Sequence, residues 1–308
     1  MGEGHPHPDR KPTFLDRARR HLRMAHYSRR TEEAYLGWIR RFIVFHGKRH
    51  PALLGEAEVT SFLSTLATEK KVASSTQNQA LSALLFLYGE MLKKDLAWLE
   101  GLVRARGPRR LPVVLSRDEV LAILSQLQGR PRLVATLLYG GGLRLSEGLR
   151  LRIKDLDFSA SQITVRGGKG NKDRVTLLPA AVQEAMRRQL EVVHRQYQTD
   201  LARGAGWVEL PLALGRKYPN AGREWPWQWV FPAARHYMEP RTGQIRRHHL
   251  HESVLQRAVR LAVLKARITR PASCHTFRHS FATHLLQGVA FLPCHPSGTE
   301  AAAAALPS

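Results

Sequence analysis

The sequence predicts a mainly α chain with a small β-sheet, divided into two domains. Three observations predict it. Apolar residues recur at helical spacing through most of the first hundred residues and again after position 180. One segment, QITVRGGKGNKDRVTLLP (162–179), alternates apolar and polar residues on both sides of a Gly/Asn/Asp turn, as a hairpin does. Between the helical regions, RARGPRRLP (104–112) has no period, two prolines and Gly107, so it is a linker joining a domain at 1–103 to one at 113–308.

The elements follow in order. A first helix is expected around 14–26. In TEEAYLGWIRRFIVFHG (31–47), Ala34, Tyr35, Trp38, Ile39, Phe42 and Phe45 form the inward stripe, with Arg40 and Arg41 off it. Thr31 is the expected N-cap, Glu32 and Glu33 complement the positive helix end, and Gly47 is the stop. EAEVTSFLSTLATEK directs Val59, Phe62, Leu63 and Leu66 inward. SSTQNQALSALLFLYGEMLKK does the same with Leu81, Leu84, Leu85, Tyr88 and Leu92. The helical period makes these aromatics core residues rather than platforms for stacking bases.

The second domain opens on SRDEVLAILSQL, where Ser116 and Glu119 form a capping box before Val120, Ile123, Leu124 and Leu127. RPRLVATLLYGGGLRLSEGLRLRIKDLDF then predicts a helix, a turn at Gly140–Gly142 and a second helix carrying Arg144. In the hairpin, Ile163 and Val165 alternate on one strand and Val175 and Leu177 on the other, with Lys169 and Lys172 near the tip. Helices return in AAVQEAMRRQLEVVHRQYQTDLA and ESVLQRAVRLAVLKA. The stretch 204–250, rich in Trp, Pro and Gly, carries no period that assigns it.

Charge is the strongest global feature. The 308 residues hold 48 Lys and Arg against 25 Asp and Glu, a net charge of +23. The excess is spread: residues 1–112 carry 20 basic and 11 acidic residues, residues 113–308 carry 28 and 14. A surface this basic draws in a polyanion, because neutralised phosphates release condensed counterions. Basic charge on both halves suits two lobes that grip a duplex better than it suits a basic tail. No apolar run approaches a membrane span, the N-terminus MGEGHPHPDRK lacks a secretory segment, and Cys274 and Cys294 make no disulfide framework. The expectation is a cytoplasmic protein with no membrane association.

Three local signals carry chemistry: Arg144 beside the glycine turn, Lys169 on the hairpin, and His275 with Arg278 one helical turn apart. Each has an ordinary structural explanation. A lone arginine pairs with a carboxylate, a lysine on a hairpin tip is solvated, and His-x-x-Arg arises by chance. Their conjunction in this order on a basic two-domain chain has no such explanation. RRHHLHES (246–253), with His248, His249 and His251, suggests a metal site at first sight. It lacks a third-ligand spacing and is assigned instead to solvated or DNA-contacting histidines.

Between about Leu22 and Leu286 the sequence resembles the tyrosine recombinases, and within them the integron integrases. HYSRRTEEAYLGWIRRFIVFHGKRHP is similar to the family's N-terminal helix text, LLYGGGLRLSEGLRLRIKDLDF to the box with the first catalytic arginine, VRGGKGNKDRVTLLP to the hairpin with the catalytic lysine, and HTFRHSFATHLL to the box with the second arginine. LPLALGRKYPNAGREWPWQWVFP resembles the insertion that sets integron integrases apart from phage and Xer-type relatives. The resemblance implies a helical, SAM-like core-binding domain followed by an α+β catalytic domain. It implies site-specific DNA recombination in a mobile genetic element, with integration and excision of gene cassettes. The partners it implies are recombination sites, double-stranded or as folded single strands, bound by a tetramer of the chain.

The implied chemistry needs no metal and no cofactor. A tyrosine phenolate attacks the scissile phosphate and conserves its bond energy as a 3′-phosphotyrosyl link. Arg144 and Arg278 bracket the non-bridging oxygens with planar, permanently charged forks and take the place of a cation. Lys169 protonates the departing 5′-oxygen, and His275 exchanges a proton with the phenol or supports the phosphate. Lys172 rivals Lys169; in the family the lysine follows the opening glycine of the hairpin turn, which favours Lys169. Glu147 and Asp155 also match family positions, with the structural role of pairing arginines.

The resemblance stops at about residue 286. Relatives carry a Leu-Gly-His box and then the nucleophilic tyrosine, which here would fall near position 310. The last of the seven tyrosines is Tyr237. His295 comes early for the box and lacks its neighbours, and Ser297 and Ser308 have no supporting motif. The expectation is a C-terminal truncation or a shifted reading frame and a chain inactive by itself. The alternative is a non-catalytic DNA-binding protein.

Overall fold

The computed structural model describes residues 12–94, 111–167, 172–211 and 214–288. The chain divides into two units, Met1–Arg110 and Leu111–Ser308. Residues 104–110 of the expected linker lie outside the described residues.

The first unit is helical. α1 (Phe14–Met24) begins with a reciprocal cap: the Thr13 N–H donates to Asp16 Oδ2 at 3.0 Å and the Asp16 N–H to Thr13 Oγ1 at 3.2 Å. α2 (Arg29–Phe45) is capped by Ser28, whose hydroxyl accepts the Thr31 N–H at 3.1 Å. This corrects the expected cap at Thr31. Ser28 caps the helix from three residues earlier, and the helix gains three residues at its start. The earlier start buries Glu32, which pairs with Arg19 and Arg23 of α1. The inward stripe is Leu36, Trp38, Ile39 and Phe42; Phe45, expected inside, is exposed. α2 ends where expected, with Gly47 in the left-handed region at φ +64°.

α3 (Glu56–Thr68) buries Val59, Phe62, Leu63 and Leu66 as its period requires. α4 (Ser74–Leu85) was expected to run on to Lys94; it passes instead into a single π turn at Phe86–Met91. Leu81, Leu84 and Tyr88 are buried, whereas Leu85 and Leu92 only border the core. The core of this unit is Ile39, Phe42, Phe62, Leu84, Leu87 and Tyr88, and its aromatic rings meet edge to face.

The second unit has a helical core with two small antiparallel sheets. α5 (Arg117–Ser125) carries the expected capping box: the Ser116 N–H donates to Glu119 Oε2 at 2.7 Å and the Glu119 N–H to Ser116 Oγ at 3.2 Å. α6 (Gly129–Gly140) is the central helix, with Val134, Ala135, Leu137 and Leu138 fully buried. The short α7 (Leu145–Leu149) follows the glycine turn. β1 (Leu156–Asp157), β2 (Gln162–Val165) and β3 (Arg174–Leu177) form a sheet in that order.

The register of this sheet overturns half of the expected alternation. Ile163 pairs with Thr176 and Val165 with Arg174, so β3 presents Arg174 and Thr176 on the face that buries Ile163 and Val165. Val175 and Leu177 point the other way and are exposed. In an antiparallel pair, directly opposed residues share a face, and the turn length decides which residues oppose.

α8 (Ala180–Ala202) crosses the unit, and a short α9 (Leu214–Lys217) lies in the Trp-rich stretch. That stretch also contains a hairpin that no sequence period announced: β4 (Pro232–Met238) with β5 (Ile245–His249), irregular between Pro232 and His236. Buried Arg247 of β5 fastens it, donating to both oxygens of Asp200 on α8 at 2.8 Å. α10 (Glu252–Lys265) and α11 (Cys274–Leu286) complete the core, and α11 packs against α6.

Candidate active site

The site is built where α7, β3 and α11 meet at the glycine turn. Gly142 adopts φ +59°, and a Cβ there would lie 2.5 Å from the Phe281 ring of α11. Only glycine allows the turn to bend this way with α11 so close. The Gly142 carbonyl accepts a hydrogen bond from Arg278 Nη1. Buried Ser280 accepts the Leu115 N–H at 3.0 Å and donates to the Thr276 carbonyl, so α11 is also held to the start of the domain.

Glu147 organises the centre. Its side chain is 8% exposed, against 34% for Arg144, 33% for Arg174 and 27% for Arg278. Arg144 caps α7 with its N–H, donating to Glu147 Oε2 at 2.8 Å, while its Nη1 donates to Oε1 at 2.8 Å. Arg174 reaches over from β3 with a fork, Nη1 to Oε1 at 3.0 Å and Nη2 to Oε2 at 2.7 Å. Arg278 Nη1 lies 3.6 Å from Oε2. Burial disfavours the charge on Glu147, but the Arg174 side chain and the Arg144 backbone and side chain outweigh it and hold the carboxyl at about 2.

Three partly exposed guanidiniums around one carboxylate make a cluster of net positive charge, which suits an oxyanion. Burial and the Arg144 charge both lower the pKa of Arg278, as a cation in a cationic surrounding should be. His275, at the start of α11, is exposed, with its ring 4.5 Å from that of His279 and edge-on to it. Partial desolvation of the ring against the protein lowers its pKa, and His279, Arg278 and Arg144 lower it further, so the neutral imidazole is favoured.

The expected residues divide as follows. Arg144 and Arg278, 134 positions apart, converge on Glu147, with His275 one turn before Arg278 on the same helix. Lys169 lies outside the described residues. Lys172, its rival, is exposed on the hairpin. Asp155 is buried and accepts from Arg166 Nε at 2.8 Å and the Arg152 N–H at 2.9 Å, a structural pairing. Arg174 was not singled out from the sequence. The only trace there was its place in the hairpin text; its orientation follows from the register.

Of the three histidines near 250, His248 and His251 are exposed, as expected, and only His249 departs from that reading. His249 is buried; its Nδ1 donates to the Leu250 carbonyl at 2.8 Å, and burial brings its pKa down to about 4. His251 caps α10, its Nδ1 accepting the Ser253 N–H at 3.2 Å, and His248 packs on His249 and Trp229. Among the described residues no cluster of three or more His, Cys, Asp or Glu is arranged to hold a metal, and no helix is long and apolar enough to cross a membrane.

Residues 113–292 match the family model for the phage integrase family, and residues 14–98 match that for the phage integrase N-terminal SAM-like domain. The chain belongs to the phage integrase family. An integrase/recombinase of Escherichia coli is 54% identical over 280 residues, covering 91% of this chain and 83% of that one, and one of Pseudomonas aeruginosa matches equally. The tyrosine recombinase XerD of Mycobacterium leprae is 31% identical over 258 residues, covering 77% and 71%. This integrase-family chain also shares its fold with solved structures. A lambda integrase tetramer bound to a Holliday junction superposes with TM-score 0.58 at 14% identity, covering 89% of this chain and 69% of that one. XerH bound to its difH substrate before cleavage gives 0.56 at 18% identity, covering 90% and 76%. By family the chain is a site-specific tyrosine recombinase, with a SAM-like helical domain ahead of the catalytic one.

Proposed function

We propose that this chain binds DNA recombination sites of integron type and grips one scissile phosphodiester between Arg144 and Arg278. The observation that carries this reading is the convergence of those two guanidiniums, from α7 and α11, on the single buried carboxylate of Glu147. The forks hold the non-bridging oxygens as negative charge grows on them. Lys169 is assigned the proton for the departing 5′-oxygen, and neutral His275 the exchange of a proton with the attacking phenol or a contact to the phosphate. The domains are assigned to 1–103 and 113–308, the first lobe helping to clasp the duplex. The assembly on DNA is a tetramer of the chain, and folded single-stranded sites are bound as well. The work is integration and excision of gene cassettes.

The nucleophile is the exception. No tyrosine follows Arg278 in these 308 residues. In the second unit, buried Tyr139 is bonded to His284 Nδ1 at 2.8 Å, Tyr197 donates to the Arg223 carbonyl, and burial raises the Tyr237 phenol. None of these is bonded to Glu147 or its arginines among the described residues. We therefore assign the 308-residue chain, assayed by itself, the role of a DNA binder that does not cleave, with text that departs from the family after about residue 286. The test is a suicide duplex carrying an integron attachment site with a nick beside the scissile phosphate. A retarded complex without a covalent protein–DNA band is expected. A covalent band would refute the non-cleaving assignment, and failure to retard any site DNA would refute the binding role.

A further inference from the structure

The way three arginines share one carboxylate assigns Arg174 a distinct task. A carboxylate has two oxygens and about four acceptor directions. In Glu147 all four are taken: Oε1 by Arg144 Nη1 and Arg174 Nη1, Oε2 by the Arg144 N–H and Arg174 Nη2. Arg278 Nη1 stands outside this set at 3.6 Å and donates to the Gly142 carbonyl instead. Arg174 thus commits both ends of its fork to Glu147, Arg144 commits one side-chain nitrogen, and Arg278 commits none within hydrogen-bonding distance.

We propose that Arg174 is a positioning residue: it saturates Glu147 so that Arg278, and the rest of the Arg144 fork, stay available to a phosphate oxyanion. The inference rests on the reading above that Arg144 and Arg278 grip a DNA phosphate. Without Arg174, two acceptor directions on Glu147 open, and Arg278 Nη1 needs to move less than an ångström to take one. A charge-assisted bond to a buried carboxylate is strong enough to hold it there in competition with a ligand. Lysine at this position would keep the charge but fill only one direction, because an ammonium is a point donor and not a planar fork. The sheet supplies the geometry: pairing Arg174 with Val165 turns its side chain onto the inner face, toward Glu147.

The experiment is NMR of the full chain with ¹⁵N-labelled arginine, observing the Arg278 side-chain N–H signals without ligand and then on titration with inorganic phosphate. Far-UV circular dichroism confirms folding of each variant. In the ligand-free Arg174→Gln spectrum the Arg278 signals are expected to move and sharpen, as for a guanidinium held by a carboxylate. Its phosphate dissociation constant is expected to rise about tenfold or more, the effect of losing one charge-assisted bond to the ligand. Arg174→Lys is expected to weaken phosphate severalfold although the net charge is unchanged. The double variant Arg174→Gln, Glu147→Gln removes the competitor and is expected to return to within about threefold of wild type.

Three results would overturn the proposal: an Arg278 signal unmoved in ligand-free Arg174→Gln, an Arg174→Lys variant equal to wild type, or a double variant as weak as Arg174→Gln. The second would make Arg174 a source of charge alone, and the third would make it a direct ligand contact. A wild-type Arg278 signal indifferent to phosphate would overturn the phosphate reading of the site. Capture of Arg278 in the ligand-free spectrum is read without phosphate, so the two failures are told apart.

Discussion

Replacing Glu147 with glutamine removes the one negative charge that three arginines face, and its cost depends on pH in a way that can be worked out. The carboxyl titrates at about 2 in the folded chain against an ordinary value of 4.5. A folded-state value below the unfolded one means that ionisation favours folding. The contribution is fully present above pH 4.5 and is lost as the pH falls toward 2. The difference corresponds to about 3 kcal/mol at neutral pH and to about 2 kcal/mol at pH 3.5. Glutamine keeps the shape and one acceptor oxygen but carries no charge at either pH. Glu147→Gln should therefore destabilise the catalytic unit by about 3 kcal/mol at pH 7, and the deficit should shrink by about 1–1.5 kcal/mol at pH 3.5. Urea unfolding of both proteins at the two pH values, followed by tryptophan fluorescence, measures this directly, since all but two of the six tryptophans lie in the second half of the chain. A deficit that does not change with pH, or one below about 1 kcal/mol at neutrality, would show that the arginines do not depend on this carboxylate.

Two further outcomes follow from the packing. Gly142→Ala places a Cβ 2.5 Å from the Phe281 ring at a φ of +59° and should cost about 3 kcal/mol. It should lower Tm by about 6–12 °C in calorimetry, and a midpoint within about 2 °C of wild type would contradict the tight approach of α11 to the turn. Asp200→Asn strips buried Arg247 of its charged partner and should cost about 3–5 kcal/mol by urea unfolding, whereas Asp200→Leu combined with Arg247→Met should recover much of the loss. A double variant no better than Asp200→Asn would mean that the ion pair is not what fastens the β4–β5 hairpin.

What the sequence determined by itself is what depends on near neighbours along the chain. The Ser116–Glu119 capping box spans three residues, the Val59–Leu66 stripe about two turns, and the Gly47 stop one residue. Their physics is local, so they were legible as text. That Glu147 pairs arginines was expected from the family resemblance, and Arg144, three positions earlier at the start of the same short helix, is one of its partners. Only the tertiary structure decided what depends on register and on packing between distant segments. Arg174 faces Glu147 because it pairs with Val165, and alternation in β3 alone points equally well to Val175 and Leu177. The hairpin at 232–249 is fastened by a buried ion pair to a helix some 47 residues away in sequence, and no period along the strands records such a pair. Arg278 reaches the glycine turn because α11 packs on α6, a contact bridging more than a hundred residues. Local hydrogen bonds and side-chain periods are written into short stretches of chain; the meeting of charges from separate stretches is set by the burial of the core that joins them.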